Sequence, residues 1–302
     1  MDFNKELSLR TKEAEKIIYS YIPKISGKQK YLLEAMDYGV RVGGKRLRPI
    51  LILETLRMFD ADEKAAHPFM AAMEFIHTYS LIHDDLPAMD NADLRRGKES
   101  VHKKFGEDFG VLTGDGLLNY AYEIVSNYCA SLMDDKALLA SVKALACLAK
   151  KAGIYGMVGG QSVDVEEDGK PLSDETLDFI YRLKTGALLE ASMMIGAILG
   201  GADDEAVGKI ESIASDVGLA FQIQDDILDI TSSAEELGKP VNIDEINNKT
   251  TYVSVHGIDA AKAQVKLLSD RAVDNLHKLY DLNIKKNDFL EELIYSLINR
   301  KK

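Results

Sequence analysis

Two clusters of aspartates are the residues whose types and spacing could most clearly do chemistry. Asp84, Asp85 and Asp90 form the first acidic cluster, and Asp225, Asp226 and Asp229 form the second. Both lie within apolar runs, where like charges repel at close range unless a cation neutralises them. Carboxylate oxygens without nearby cysteines favour a hard cation such as magnesium, which keeps positions open for water and substrate phosphates. The clusters therefore predict a magnesium site that binds diphosphates.

The second cluster has the spacing of a helix face. Asp225 and Asp229 are four residues apart, and Asp226 lies three residues before Asp229. Ile223 and Ile227 stand among them, so part of this helix must be buried. A solvated acidic face is the alternative, but such a face more often includes Lys or Arg for pairing along the helix.

The first cluster does not fit a regular helix. Asp84 and Asp90 are six residues apart, which places them off a common face. Pro87 lies between them and would break the helix. We therefore predict a distortion near Pro87 that lets the chain turn and brings Asp90 back toward Asp84.

Basic residues supply a candidate anion site. Gly43–Pro49 is a short turn, the basic turn, that contains Lys45 and Arg48, and Arg95 and Arg96 follow soon after Asp90. Guanidinium groups bind phosphate oxygens through charge-assisted hydrogen bonds, and lysine adds point charge. Each run alone is more typical of solvated surface. Their closeness in sequence to the first acidic cluster favours the anion site.

Four further residues are weaker candidates. His77 lies seven residues before Asp84 and shares its helix face, so it is either a core histidine or a substrate contact. Gln222 has the same ambiguity. Lys184 lies in an apolar helix, where its stem could simply extend to water, and Lys239 follows a glycine.

Composition limits the possible partners. The chain has 302 residues, 46% of them hydrophobic, and a formal charge of 37 − 49 = −12. This charge argues against nucleic acid and anionic membrane surfaces as partners. Cys129 and Cys147 lack metal-ligand spacing and are expected to be reduced thiols. We find no secretory signal or membrane-spanning apolar stretch, so we expect a cytoplasmic protein without membrane insertion.

The apolar pattern is helical almost throughout. Leu117, Ala121 and Ile124 recur at three- and four-residue steps, and Ser173 followed by Asp174 marks a helix start. No convincing alternating strand pattern occurs. The pattern predicts an all-α fold, with residues 1–302 forming one large helical domain.

The motifs resemble those of a known family. His77–Lys98 is similar to the first aspartate-rich region of trans-isoprenyl diphosphate synthases. The other family motifs follow the same order in Gly43–Pro49, Leu183–Gly186, Phe221–Asp229 and Leu237–Pro240. Four residues between the second and third aspartates resemble the bacterial farnesyl diphosphate synthases. The resemblance runs from about residue 30 to the end of the chain.

The resemblance implies a fold and a set of roles. The fold would be an isoprenoid-synthase helical bundle around a central cavity, usually a homodimer. The six aspartates of the two clusters would bind up to three magnesium ions. Isopentenyl diphosphate would be bound by Lys45, Arg48, His77 and Arg96. The allylic diphosphate would be bound by Arg95, Lys184, Thr185, Gln222 and Lys239. Catalysis would depend most on Lys184, Thr185, Gln222, Asp84 and Asp225.

The implied reaction joins isopentenyl diphosphate to dimethylallyl or geranyl diphosphate, giving farnesyl diphosphate by magnesium-assisted ionisation, condensation and elimination. Tyr79 occupies the position where a bulky residue stops chain growth in this family, with Ser80 directly beneath Asp84 on an ideal helix. A geranylgeranyl diphosphate synthase and a terpene cyclase are alternatives on the same scaffold. A non-catalytic subunit of a heteromeric synthase is an alternative of another class.

Overall fold

A computed structural model describes residues 2–231, 250–282 and 284–298. These residues are mainly helical, which confirms the predicted fold class. The helices of the first half are α1 (Phe3–Ser20), α2 (Lys30–Arg41), α3 (Leu47–Arg57), a 3₁₀ turn (Glu63–Ala65), α4 (His67–Asp84), α5 (Val101–Phe105), α6 (Glu107–Ser131) and α7 (Asp135–Ala152). Then come α8 (Met157–Glu166), α9 (Asp174–Ile180), a π-helix (Tyr181–Gly186), α10 (Ala187–Leu199), α11 (Asp204–Thr231), α12 (Tyr252–His256), α13 (Ile258–Tyr280) and α14 (Asp288–Ile298).

One small antiparallel hairpin interrupts the helices in the described part of the chain. Strand β1 (Leu94–Arg95) pairs with β2 (Lys98–Glu99) through a two-residue loop of Arg96 and Gly97. Both loop residues have positive φ angles, 53° and 75°, as a tight hairpin turn requires. Asn and Gly usually occupy such positions, so an arginine here carries backbone strain.

The described residues divide into two compact units. The first comprises the residues up to Leu53 together with Asp62–Leu145, and the second comprises Glu54–Ala61 with the described residues from Ala146 onward. The single domain expected over residues 1–302 stays a prediction.

Helix α4 is the core of the first unit. Phe69, Phe75 and Ile76 are fully buried, and Phe75 stacks on Tyr120 of α6 with ring centroids 6.0 Å apart. A helix that is apolar on all sides is buried on all sides, and each large side chain buried here contributes roughly 1.5–3 kcal/mol. Packing therefore fixes the position of α4, whose last residue is Asp84.

Helix α11 has the corresponding role in the second unit, where it packs against α10 and α13. Arg271 of α13 donates hydrogen bonds to both carboxylate oxygens of the buried Asp216. A Cβ atom at Gly218 would lie 3.0 Å from the Cα atom of Gly186, so the π-helix lies directly on α11. This contact holds the π-helix beside the second acidic cluster.

Two smaller expectations also meet the structure. Ser173 caps α9, as predicted, by accepting a hydrogen bond from the Thr176 amide at 3.2 Å. Cys129 and Cys147 are free thiols, and Cys129 is buried. Among the described helices, none has the length and apolar character needed to cross a bilayer.

Candidate active site

The chain reverses direction at the first acidic cluster, in a turn formed by residues 84–91, the acidic turn. Helix α4 ends at Asp84, and the amide of Asp90 then donates a 2.9 Å hydrogen bond to the carbonyl of Asp84. The amide of Asn91, with a φ of 48°, closes the same turn by bonding to the carbonyl of Leu86 at 3.0 Å. The predicted distortion near Pro87 is confirmed, and it returns Asp90 to the end of the helix.

Asp85 and Arg95 are paired with each other. The Nε atom of Arg95 lies 3.1 and 3.2 Å from the two carboxylate oxygens, and its Nη2 atom also donates to Oδ1. Burial lowers the pKa of Arg95, but hydrogen bonds and charge from Asp85 outweigh it, so the net shift is upward. Asp85 is only 2% exposed. Asp85, a predicted metal ligand, and Arg95, predicted to bind diphosphate, therefore pair with each other in this structure.

The aspartates of the two acidic clusters offer the type of ligand atom that magnesium binds. The candidate ligands are all carboxylate oxygens, the type that this hard cation prefers. Within residues 2–231, 250–282 and 284–298, no three His, Cys, Asp or Glu side chains converge as a complete set of metal ligands. Magnesium commonly uses one or two carboxylates and completes its shell with water and substrate phosphates. The metal roles of the six aspartates stay predictions.

Arg48, His77 and Arg96 form a group of basic side chains, the basic cluster, in the first unit. Burial lowers the pKa of His77 well below 6.5, and the charges of Arg48 and Arg96 lower it further. Burial also lowers the pKa of Arg48 to about 10. The buried Nε of Arg48 has no hydrogen-bond partner among the described residues. An unpartnered buried donor beside like charges fits an anionic ligand.

Two glycines shape the turn that carries Lys45. Gly43 and Gly44 have φ angles of 105° and 148°, which few other residues adopt. A Cβ atom at Gly44 would lie 2.6 Å from Nη1 of Arg96, so the missing side chain makes room for that guanidinium. Lys45 itself is exposed at the surface of the turn. The turn that carries Lys45 therefore lies against Arg96 and forms one side of the basic cluster.

Tyr79 and Ser80 differ in their surroundings. Tyr79 is 6% exposed, and its ring meets His83 edge-on with centroids 5.7 Å apart. Burial, with smaller effects from Tyr122 and Asp84, raises the pKa of Tyr79 to about 12. Ser80 donates a 2.9 Å hydrogen bond to the carbonyl of His77 in its own helix. Of the two predicted chain-length residues, Tyr79 therefore provides the large buried side chain.

The π-helix of the second unit brings three predicted residues together. Lys184 pairs with Asp164 of α8 at 2.5 Å, and Thr185 donates a 3.0 Å hydrogen bond to Oε1 of Gln222 on α11. A Cβ atom at Gly160 would lie 2.2 Å from the Lys184 amide nitrogen, so α8 packs against this backbone. Single π-helical turns often occur at functional sites.

The second acidic cluster is partly buried. Asp226 and Asp229 are 4% and 6% exposed, which contradicts a solvated acidic face. Asp226 accepts hydrogen bonds from the Tyr181 hydroxyl at 2.6 Å and the Tyr252 amide at 2.9 Å. Asp225, one position earlier, is half-buried. Asp226 thus joins α11 to the π-helix and α12 in addition to its predicted metal role.

Sequence reasoning missed the partners of several site residues. The pairing of Lys184 with Asp164 and of Asp226 with Tyr181 joins residues far apart in sequence, so no local pattern signals it. The pairing of Asp85 with Arg95 depends on the β1–β2 hairpin, whose strands are too short to show alternation. Lys239 lies outside the described residues.

Comparison with known proteins assigns the class. Residues 29–283 match the family model described as Polyprenyl synthetase, and the chain belongs to this family. It is 45% identical over 261 residues to the farnesyl diphosphate synthase of Geobacillus stearothermophilus, covering 86% of each chain. It is 44% identical to a chloroplastic geranylgeranyl pyrophosphate synthase of Catharanthus roseus, covering 80% of this chain and 67% of that protein.

A solved structure shares the fold. The geranyltransferase of Helicobacter pylori, crystallised with magnesium and isoprenyl diphosphate, superimposes with a TM-score of 0.81 at 31% identity. The match covers 99% of this chain and 97% of that one. The resemblance drawn from the motifs is thus confirmed at the level of family and fold.

Proposed function

We propose that this protein condenses isopentenyl diphosphate with dimethylallyl or geranyl diphosphate to form farnesyl diphosphate. The observation that carries the proposal is the arrangement of α4. One helix bears His77 within the basic cluster and, seven residues or about 10 Å further along, Asp84 at the start of the acidic turn. A neutral imidazole beside Arg48 and Arg96 and a carboxylate group at the end of the same helix suit two different diphosphates. The predicted trans-prenyltransferase class is confirmed by the family match.

The two diphosphates would use different chemistry. The allylic diphosphate would bind to magnesium held by the aspartates of the acidic clusters, and the metal would stabilise the charge of the departing diphosphate. Arg95, Lys184 and Lys239 would add fixed positive charge to the same group. Isopentenyl diphosphate would bind to Lys45 and the basic cluster, where the unpartnered Nε of Arg48 provides a buried donor.

Thr185 and Gln222 would stabilise the allylic cation. Ionisation leaves positive charge on the allylic carbon, and oxygen lone pairs directed at that carbon lower its energy. The 3.0 Å hydrogen bond between the two side chains fixes their oxygens relative to each other. The double bond of isopentenyl diphosphate then attacks the cation, and the departing diphosphate accepts the proton lost. No protein nucleophile is required, but water must be excluded.

Tyr79 supports a farnesyl product over a longer one. Its buried ring packs edge-on against His83, one turn further along α4, and the family resemblance assigns this position the chain-length role. Identities of 45% and 44% to synthases of both product lengths do not separate the two products. The choice between a farnesyl and a geranylgeranyl product is therefore decided by product analysis.

A non-catalytic subunit and a terpene cyclase have less support. Such a subunit typically loses acidic motifs, and a terpene cyclase lacks the basic turn, whereas both features are present here. Activity of the purified chain on its own would separate the synthase from the subunit.

We also propose a homodimer. Val111 and Leu112 of α6, with Leu139 and Val142 of α7, are large apolar residues exposed on the isolated chain. Apolar surface of this kind often marks a protein–protein interface. Sedimentation of the purified protein would test whether it is a dimer. The cytoplasmic location stays a separate prediction.

The decisive experiment incubates the purified chain with isopentenyl and geranyl diphosphates, with and without a magnesium chelator. We expect farnesyl diphosphate only when magnesium is present. No product in the absence of a partner protein would favour the subunit, and activity in excess chelator would refute the metal role.

A further inference from the structure

Arg46 lies in the basic turn but is directed into the protein. It is 2% exposed, and its guanidinium donates to Oε1 of Glu74 on α4 at 2.5 Å. The same group donates to the carbonyl of Val40 at the end of α2, at 2.8 Å, and to the hydroxyl of Tyr19 on α1, at 3.2 Å. One side chain therefore joins the turn to three helices.

The backbone of Arg46 needs such an anchor. Its φ of 51° lies in the left-handed region, which costs a residue with a side chain of order 1–3 kcal/mol. Among the described residues, non-glycine positive φ angles occur at Arg46, Asp60, Asn91 and Arg96. Three of these four lie beside the basic cluster or in the acidic turn, as expected where function maintains strain. The contacts of the Arg46 side chain offset that cost.

Glu74 is the buried counter-charge of this region. It is 2% exposed and lies one turn before His77 on the same helix. Its charge favours the protonated form of Arg46, and opposes the lowering of the pKa that burial causes at Arg48 and Arg96. Glu74 and the partly exposed Glu15, whose Oε1 lies 3.4 Å from Nε of Arg46, face the guanidinium groups of Arg46, Arg48 and Arg96, which leaves net positive charge for a ligand.

We propose that Arg46 is a positioning residue that, through Glu74, Val40 and Tyr19, fixes the basic turn in the conformation in which Lys45 and Arg48 bind isopentenyl diphosphate. This inference rests on the proposed function. Arg46 does not touch substrate. It acts by holding the turn against α4, which carries His77, so its removal affects one substrate and leaves the other unaffected.

The test compares Arg46→Met, Glu74→Gln and the double variant in steady-state assays. In Arg46→Met we expect the KM for isopentenyl diphosphate to rise about tenfold or more, since tenfold corresponds to the loss of one charge-assisted contact. The KM for geranyl diphosphate should change less than about twofold. The double variant removes both buried charges, so it should recover resistance to urea while the isopentenyl KM stays high.

Arg271→Met is the matched control, because it also removes a guanidinium from a buried carboxylate, Asp216, in the second unit. It should lower resistance to urea without changing the isopentenyl KM. If Arg46→Met does not fold, Arg46→Lys keeps the pair with Glu74 but cannot span Val40 and Tyr19 together, and the same selective rise is expected. Equal rises for both substrates, or a normal isopentenyl KM in the double variant, would overturn the positioning role.

A separate measurement distinguishes this inference from the proposed function. Calorimetric titration with inorganic diphosphate in the absence of magnesium reports on the basic cluster without any reaction, because the carboxylates of the acidic clusters repel diphosphate when no metal is present. A wild-type protein that forms no prenyl product refutes the proposed function, yet weaker diphosphate binding by Arg46→Met would still support the positioning role. Diphosphate binding that is identical in wild type and Arg46→Met would overturn it.

Discussion

The hydroxyl of Thr185, in the π-helix, donates a 3.0 Å hydrogen bond to Oε1 of Gln222 on α11. A π-helix is a wider and rarer turn than an α-helix, and tertiary packing must stabilise it. Here the close approach of Gly186 to Gly218 supplies that packing. The bond fixes two oxygen-bearing side chains on different elements, which suits stabilisation of a short-lived cation.

Replacing Thr185 with valine should therefore slow ionisation. Valine keeps the shape but removes the hydroxyl, and loss of one preorganised polar group at a reacting centre costs about 10²-fold in rate. Single-turnover formation of product at saturating substrate measures the effect. Ser192→Ala is the control, since its hydroxyl bonds to the carbonyl of Leu188 within α10. A Thr185→Val rate equal to that of the wild type would contradict the role.

Tyr79→Ala should lengthen the product. Removing the buried ring opens space along α4, so chain growth would continue beyond farnesyl diphosphate. Ser80→Ala is a matched control on the next residue, whose hydroxyl is bonded to its own helix. Chromatography of the dephosphorylated products distinguishes the two, and an unchanged spectrum for Tyr79→Ala would exclude it as the chain-length residue.

Substitution of Asp226 should lower the stability of the protein, and substitution of Asp225 should weaken its response to magnesium. Asp226→Asn weakens the contacts with Tyr181 and the Tyr252 amide, so the free energy of unfolding should fall by about 1–3 kcal/mol. Asp225→Asn should raise the magnesium concentration needed for half-maximal rate, because Asp225 is a predicted metal ligand. Urea unfolding and magnesium titration of both variants provide the measurements. An unchanged magnesium requirement in Asp225→Asn would contradict its metal role, and unchanged stability in Asp226→Asn would contradict its structural role.

Protonation of His77 should destabilise the protein in acid. Its pKa in the folded state lies well below 6.5 because of burial and the charges of Arg48 and Arg96. Below pH 6.5 the unfolded state therefore binds more protons than the folded state, and stability falls as pH falls, by up to about 1.4 kcal/mol per pH unit.

The comparison is with His77→Gln, which cannot titrate. Between about pH 7 and pH 5, the wild type should lose more free energy of unfolding than this variant, since the variant lacks the linked proton. Urea titrations at both pH values measure the difference. Parallel losses in the two proteins would show that the imidazole titrates normally when folded.

The sequence was sufficient where the physics is local. A proline between Asp84 and Asp90 predicted the break in α4, and helical periodicity predicted the fold class. Sequence could not assign Arg46 to the interior, because its charge alone suggests solvent or ligand, and because its partners Glu74 and Tyr19 lie 28 and 27 residues away in the chain. It also could not show that Asp85 is paired with Arg95, which depends on the register of the β1–β2 hairpin.

That hairpin makes the two adjacent arginines unequal. Arg95 faces Asp85, whereas Arg96 lies against Gly44 on the side of the basic turn. The hairpin loop consists only of Arg96 and Gly97, since Arg95 pairs directly with Lys98. An insertion of one residue between Arg95 and Arg96 would shift one guanidinium by about 3.3 Å along the chain relative to the other. The hairpin thus directs two neighbouring positive charges to different partners, one to a carboxylate and one to the basic turn.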